Sequence, residues 1–355
     1  MLKKILWGIL IVSVVGSFFA YHLYTKIMSP NVPKKLENSI VYIPTNSSFN
    51  DVVEILHANN QIIDTVSFRE VAEMMSYKKS IMKTGRYKIT PSWSNRSLIS
   101  HLRAGKQEPV NLVLNHGWLL EDVAAKASQF IETDSTDLIR LFRDEKYIEK
   151  SGHTTETLMG LFIPNTYEFY WNTDEKAFFK RMIKEHNRFW NTNDRLSKAE
   201  KLGLTTNEVY TLASIVEREI SKNAEKKRVA GLYLNRIRVG MKLDADPTAK
   251  FATRDFKATR VLYKHIRFDS PYNTYLYKGL PPGPISMASI KSIDAVLDSE
   301  KHNFYYMCVD PDNPGYHVFA ENLDEHNKNA KRYHRWLDNL EKKKKSGISS
   351  SKPVD

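Results

Sequence analysis

The chain has 355 residues, 41% of them hydrophobic and 11% aromatic, which excludes global disorder and leaves room for two modest domains plus an anchor. A single cysteine, Cys308, excludes an intramolecular disulfide and a cysteine-built metal site. The net charge of +12 leaves nucleic acid, an anionic membrane surface or an anionic polymer open as partners, and part of it is local, in the run Lys342-Lys343-Lys344-Lys345.

From the N-terminus, Ile5 to Tyr24 carries no Asp, Glu, Lys or Arg. At ~1.5 Å per residue, about 20 helical residues cross a hydrocarbon layer of ~30 Å. Trp7 stands near one end and Tyr21 and Tyr24 near the other, where amphipathic rings favour the interface. Lys3 and Lys4 precede the segment, and Ser17-Phe18-Phe19-Ala20-Tyr21 puts bulky rings where signal cleavage needs small residues. The pattern predicts an uncleaved signal anchor over 5–24. Residues 1–4 are then cytoplasmic and the remainder of the chain lies outside the cytoplasmic (inner) membrane, an address that disfavours nucleic acid.

Residues 25–38, with Pro30 and Pro33, are expected to form a stalk. A small α/β module follows over 39–108. Ser39–Ile43 reads as a strand stopped by Pro44, and Ser48-x-x-Asp51 as a helix cap before Phe49, Val52, Val53 and Leu56 at helical spacing. A second helix is expected around Phe68–Met75, a strand over Gly85–Ile89, and a helix from Ser94 to Ala104 ended by Gly105. Val110, Leu112 and Leu114 alternate with polar neighbours and open a larger region, 109–340, with helices expected at Glu121–Ile131 and Thr136–Arg143. The end, 341–355, reads as a basic disordered tail. The fold class is α+β.

The sharpest local signal is Leu204-Thr205-Thr206-Asn207-Glu208-Val209, a capping box flanked by a hydrophobic staple. Val209, Leu212, Ala213, Val216 and Ile220 continue it as one apolar stripe. Glu208 is thereby a capping residue. Glu217 and Glu219 fall on opposite flanks of the stripe, ~200° apart at ~100° per residue, so periodicity alone does not choose between them. His317 and His326 lack the spacing of a zinc pair, and neither a phosphate loop nor a nucleophile elbow occurs. No metal and no cofactor is expected.

Ser214-Ile215-Val216-Glu217-Arg218-Glu219 resembles the catalytic motif of the MltG/YceG-like endolytic murein transglycosylases. The likeness continues, in order, through Arg228-Val229-Ala230, Asn235-Arg236-Ile237-Arg238-Val239-Gly240-Met241 and Leu243-Asp244-Ala245-Asp246-Pro247-Thr248. It goes on to Ser270-Pro271-Tyr272-Asn273-Thr274-Tyr275, Gly279-Leu280-Pro281-Pro282-Gly283-Pro284-Ile285, Tyr305-Tyr306, His317-x-Phe319 and Glu325-His326-Asn327. One stretch departs: Met159 and Asn165 stand where the family often has acids.

The resemblance implies an N-terminal transmembrane helix and a LysM-like module before a YceG-like catalytic domain. It implies cleavage of the β-1,4 bond between N-acetylmuramic acid and N-acetylglucosamine in nascent peptidoglycan, with 1,6-anhydro ends and Glu217 as the single acid/base; Glu219 is then structural. Asp246, Thr248, Asn273 and Tyr275 lie in matched motifs and are expected to hold sugar, the competing reading being turn residues. The implied partners are glycan strands, the membrane through 5–24, and peptidoglycan synthases; the implied role is a terminase of strand elongation. A silent peptidoglycan-binding scaffold and a water-using muramidase are the alternatives. Desolvation beside the stripe is expected to raise the Glu217 pKa by about two units from ~4.3 so that it carries a proton near neutrality.

Overall fold

A computed structural model describes residues 2–345. Two compact units emerge. One comprises the chain up to Leu112 with Ala127–Asp134 and Tyr167–Asp174, and the other comprises the rest.

The first unit begins with helix α1 (Leu2–Met28), long and apolar enough to cross a membrane. Strand β1 (Ile40–Ile43), helices α2 (Phe49–Ala58) and α3 (Thr65–Met74) and strand β2 (Gly85–Lys88) follow, then helix α4 (Asn95–Ala104). The expected capping box at Ser48 and Asp51 is present, and Gly105 ends α4 in the left-handed region at φ 70°. β1 and β2 pair antiparallel, with Tyr42 opposite Arg86 and Val41 opposite Tyr87. Val41 and Ile43 face a core built with Val52, Leu56, Phe68, Leu98 and Leu102.

Residues 25–33 are not the bare stalk expected. Val32 is buried in this core, and the Asn31 side chain donates to Asn95 Oδ1 (2.7 Å) and to the Asp64 carbonyl (2.9 Å). A buried amide with its bonds made inside the module cannot also serve as a free linker. The later segments join the same unit through named bonds. Glu132 accepts from the Thr45 backbone N–H (2.7 Å), and Asn172 donates to Thr84 Oγ1 (3.2 Å).

Strand β3 (Val110–Leu114), helices α5 (Leu120–Ala127), α6 (Ser135–Phe142) and α7 (Glu145–Ile148), and strand β4 (Asn165–Phe169) come next, with β3 paired to β4. The second unit then runs through α8 (Glu175–Trp190), α9 (Arg195–Leu202), α10 (Thr206–Glu219), α11 (Lys226–Arg238), α12 (Asp246–Thr253), α13 (Tyr263–Ile266), α14 (Ile290–Leu297), the antiparallel pair β5 (Tyr306–Val309) and β6 (His317–Ala320), and α15 (Leu323–Lys345). The basic run expected to open a disordered tail is the last turn of α15 as far as Lys345; the remainder of that tail lies outside the described residues.

Helices α10, α11 and α14 pack on one another, burying Leu212, Val216, Val229, Ile293 and Val296. Arg195 of α9 fixes α14 with a bidentate bond to Asp294 (2.8 and 3.1 Å). The Gly-Pro-rich loop 279–285 is pressed onto the chain beneath it. A Cβ at Gly283 would sit 2.0 Å from the Glu156 carbonyl, so only glycine permits this approach.

Candidate active site

The capping box of α10 forms as the sequence predicts. Thr205 Oγ1 accepts from the Glu208 N–H (3.2 Å) and Glu208 accepts from the Thr205 N–H (2.7 Å). That fixes where α10 starts and hence which residues reach its last turn. There the two acids part, as their spacing requires.

Glu217 turns toward α14 and the start of α11. Its Oε2 accepts from Lys226 Nζ (2.9 Å), Ser289 Oγ (2.5 Å) and Ser292 Oγ (2.5 Å), with the Ser289 N–H at 3.4 Å. Ser289 is also the N-cap of α14, so the carboxylate sits at a helix N-terminus, where partial positive charge favours an anion. Among the described residues no hydrogen bond reaches Oε1. One oxygen anchors the group, while 28% of the side chain stays exposed.

This geometry reverses one expectation. Burial pushes the Glu217 carboxyl up, but the bonds from Ser289, Ser292 and Lys226 together outweigh it and hold the pKa below the ordinary glutamate value. The apolar stripe is beside Glu217 as predicted; three donors converging on one oxygen decide the balance.

The Lys226 side chain is only 5% exposed, and its ammonium has Glu217 as its salt-bridge partner. Arg218, between the two acids, lies with its guanidinium 4.0 Å over the Trp118 ring and donates to the Gly117 carbonyl. Trp118 walls a cavity of about 210 Å³ with Arg143, Glu156, Arg254 and Tyr272; Glu217 does not line it.

Glu219 turns the other way, toward Tyr233 and Asp246. Its Oε2 is out of solvent contact with no hydrogen-bond partner. Burial foremost, then the charge of Asp246, raises its pKa to about 7. A carboxyl whose folded pKa exceeds its unfolded value binds extra protons when folded, so its contribution worsens as pH rises between the two values. Glu219→Gln should therefore leave the melting temperature near wild type at pH 5 and raise it relative to wild type at pH 8, by up to about 3 kcal/mol in stability. Thermal melts at both pH values check this; a difference that shrinks with rising pH would refute the raised pKa of buried Glu219.

The expected sugar-holding residues divide. Thr248 is fully buried, its hydroxyl donating to the Ala245 carbonyl (2.6 Å) and sharing a bond with Thr274 (2.8 Å). Asn273 is also fully buried; its Nδ2 donates to the carbonyls of His265, Ile266 and Phe268 and its Oδ1 accepts from the Tyr275 N–H. Both are spent on turns. Asp246 is exposed and accepts from the Tyr275 hydroxyl (2.6 Å). His317 bonds Glu225 through both its N–H (2.8 Å) and Nδ1 (3.0 Å), and His326 stacks on Tyr306. Lys226, Ser289 and Ser292 were not singled out in the sequence. Ser289-x-x-Ser292 is legible as a helix start, but nothing local says that it caps onto a carboxylate 72 residues earlier.

Part of the motif run from Asn235 to Thr248 has a structural reason. Arg236 Nε donates to the Tyr305 carbonyl (2.6 Å) and its Nη1 to those of Lys242 and Leu243 (3.0 and 2.9 Å), tying α11 to β5 and to the turn before α12. The family model of the YceG-like family matches residues 41–332, most of the chain. The chain belongs to the YceG-like family. This YceG-like chain is similar to an endolytic murein transglycosylase of Bacillus subtilis, 28% identical over 338 residues, covering 90% of this chain and 91% of that protein. It is similar to one of Streptococcus pneumoniae, 25% identical over 345 residues, covering 89% of this chain and 62% of that longer protein. The crystal structure of a yceG-like protein from Listeria monocytogenes resembles it with a TM-score of 0.54 at 26% identity, over 81% of this chain and 97% of that one.

Proposed function

We propose that this chain is a membrane-anchored endolytic lytic transglycosylase. It cuts the N-acetylmuramic acid–N-acetylglucosamine β-1,4 bond of nascent glycan strands, leaves 1,6-anhydro ends and thereby terminates elongation. The observation that carries the reading is Glu217: a partly exposed carboxylate on a buried helix, held at Oε2 by a lysine and two serines, with Oε1 left for a substrate. The names of its relatives support the substrate and reaction class. Helix α1 supports a single-pass anchor, and the β1–α2–α3–β2 order supports a LysM-like module. Exposed Asp246 with half-buried Tyr275 is the polar pair left to hold sugar. Glycan strands and the membrane are the partners, with peptidoglycan synthases as neighbours of a terminase.

One carboxyl suffices because the substrate brings its own nucleophile, where most glycosidases need a second acid. Protonated Glu217 gives its proton to the leaving glycosidic oxygen as the C1–O bond breaks. The C6 hydroxyl of the same muramyl ring attacks C1, and its proton passes to the Glu217 carboxylate. The proton count closes, no water is consumed, and the attack is intramolecular, so it benefits from proximity.

The depressed pKa shapes this cycle. Glu217 acts from a minority protonated form, and the carboxylate created by proton donation is met by Lys226, Ser289, Ser292 and the α14 N-terminus, donors already aimed where charge develops. Mass analysis of strands treated with the full-length protein in detergent tests the reading. New ends lighter by one water than reducing ends are expected. Hydrated ends would assign a muramidase instead, and uncut strands a binding scaffold.

A further inference from the structure

Helix α1 enters the first unit without slack. Its apolar run ends at Tyr24, yet Ile27 already packs against the core of the unit, and the Lys26 carbonyl accepts from the buried Asn95 side chain (3.0 Å). Three helical residues advance only ~4.5 Å, less than the roughly 5–7 Å of headgroup on each side of a bilayer core. Where α1 crosses a bilayer, the unit therefore rests on the headgroups.

The contacts of α1 and the turn after it decide which end of the unit faces them. Asn31 donates to the Asp64 carbonyl (2.9 Å), Asn95 joins the Lys26 carbonyl to Ser67 Oγ (3.1 Å), and Lys26 Nζ bonds Glu70 (2.5 Å). Residue numbers rise along α3 as they fall toward α1, so α3 runs back toward the membrane. From Glu70 to Met74 it advances a further ~6 Å. Helix α4 runs beside α3 in the same sense: Asn95 meets Ser67 at one end, and Arg103 donates to the Met75 carbonyl (2.9 Å) at the other. Lys83 donates to the Ala104 carbonyl (3.1 Å) and so brings the segment after α3 to that same end.

From Met74 to Gln107 the chain carries eight Lys and Arg and no Asp or Glu. Lys78, Lys79, Lys83, Arg103 and Lys106 are exposed, and so are Met74 at 54% and Ile81 at 64%. Exposed Glu73 borders the patch and offsets one of these charges. A lone exposed Met or Ile needs no explanation. Apolar side chains beside a cluster of cations, at the level of the headgroups, match a surface that is anionic outside and apolar beneath.

We propose that this basic end of the first unit docks on the anionic phospholipid surface that α1 enters, with Met74 and Ile81 in the headgroup layer. Docking of this kind rests on the single-pass anchor proposed above. The membrane then holds the unit at one tilt, where a bare stalk would let it swing.

Fluorescence quenching in vesicles tests this. The full-length protein with Cys308→Ser takes a bimane label at Met74→Cys, Ile81→Cys, Ile63→Cys or Val14→Cys. It is reconstituted in phosphatidylglycerol–phosphatidylethanolamine vesicles that contain a headgroup-nitroxide lipid. Labels at 74 and 81 should lose most of their emission. Ile63 is as exposed as Ile81, at 64%, but precedes the opposite end of α3, so a label there should keep most of its emission. Lys78→Glu with Lys79→Glu, at two exposed positions, should restore much of the emission at 81. Equal quenching at 63, 74 and 81, or quenching at 81 that charge reversal leaves unchanged, overturns the proposal. An emission change on adding polyphosphate, without quenching by lipid, assigns the patch to a soluble polyanion and overturns it as well. Val14 reports the anchor, with the nitroxide moved to the acyl chains. Quenching at 14 but not at 74 or 81 sinks this inference alone; no quenching at 14 sinks the anchor reading and this inference with it.

Discussion

Glu217→Gln should lower glycan cleavage by roughly 10²–10⁴-fold, the range spanned by a positioned general acid/base, while the protein still folds. Gln keeps the shape and can accept through its carbonyl from Ser289 and Ser292, but it can neither give nor take the catalytic proton. The substitution has a second effect that identifies the geometry. It strips the counter-charge from Lys226, whose side chain is 5% exposed, and a nearly buried charge without its partner costs free energy. A loss of about 1–3 kcal/mol of stability is expected, less than for a fully buried pair because Glu217 is partly solvated. Adding Lys226→Met should recover part of that loss and none of the activity. Denaturant titration with strand-cleavage assays on the single and double variants checks both halves. An active single variant would remove Glu217 from the chemistry.

Lys226→Met alone should move the pH dependence and lower the ceiling together. In the wild-type protein the Glu217 pKa lies below the usual glutamate value, the bonds from Ser289, Ser292 and Lys226 outweighing its burial. The protonated share therefore rises roughly tenfold for each unit that pH falls toward that pKa, and kcat/KM should climb as pH falls from 8 to 6. Removing the ammonium raises the pKa, so the limb shifts to higher pH. The same change removes a donor aimed at the carboxylate that forms as the proton leaves, so the rate at the low-pH plateau should fall, by about tenfold or more. Lys226→Arg should restore part of both. A structural role alone would lower the rate at every pH without shifting the limb, and that outcome in the pH–rate profiles would exclude the proposed coupling.

The local architecture was legible where each element announces itself in its own residues. Ser48 with Asp51 and Thr205 with Glu208 start their helices because a hydroxyl and a carboxylate three residues apart satisfy each other's backbone donors. The placement of Glu217 and Glu219 on opposite flanks of α10 followed from helix geometry and holds in the structure. What was illegible is non-local. The Glu217 pKa depends on Ser289 and Ser292, brought in by α14 long after α10 is complete, so a reading of the apolar stripe alone took the wrong sign. Thr248 and Asn273 looked like sugar-binding residues because their chemistry suits both sugar and backbone; only burial shows that the backbone has taken them. The division into units is non-local in the same way. Residues 127–134 and 167–174 join the first unit through contacts that no periodicity records, among them Glu132 with Thr45, Asn172 with Thr84 and Trp171 with Tyr42. Residues 25–33 read as a linker because Pro30 and Pro33 mark irregular backbone, although Asn31 and Val32 are buried.

Cleavage of glycan strands in oxygen-18 water, by wild type and Glu217→Gln side by side, tests the central claim most directly. Wild type should release 1,6-anhydro ends free of heavy oxygen, because the attacking oxygen belongs to the muramyl ring, and the variant should release almost none. Heavy oxygen at the new ends, or anhydro ends made by the variant at the wild-type rate, would contradict the account.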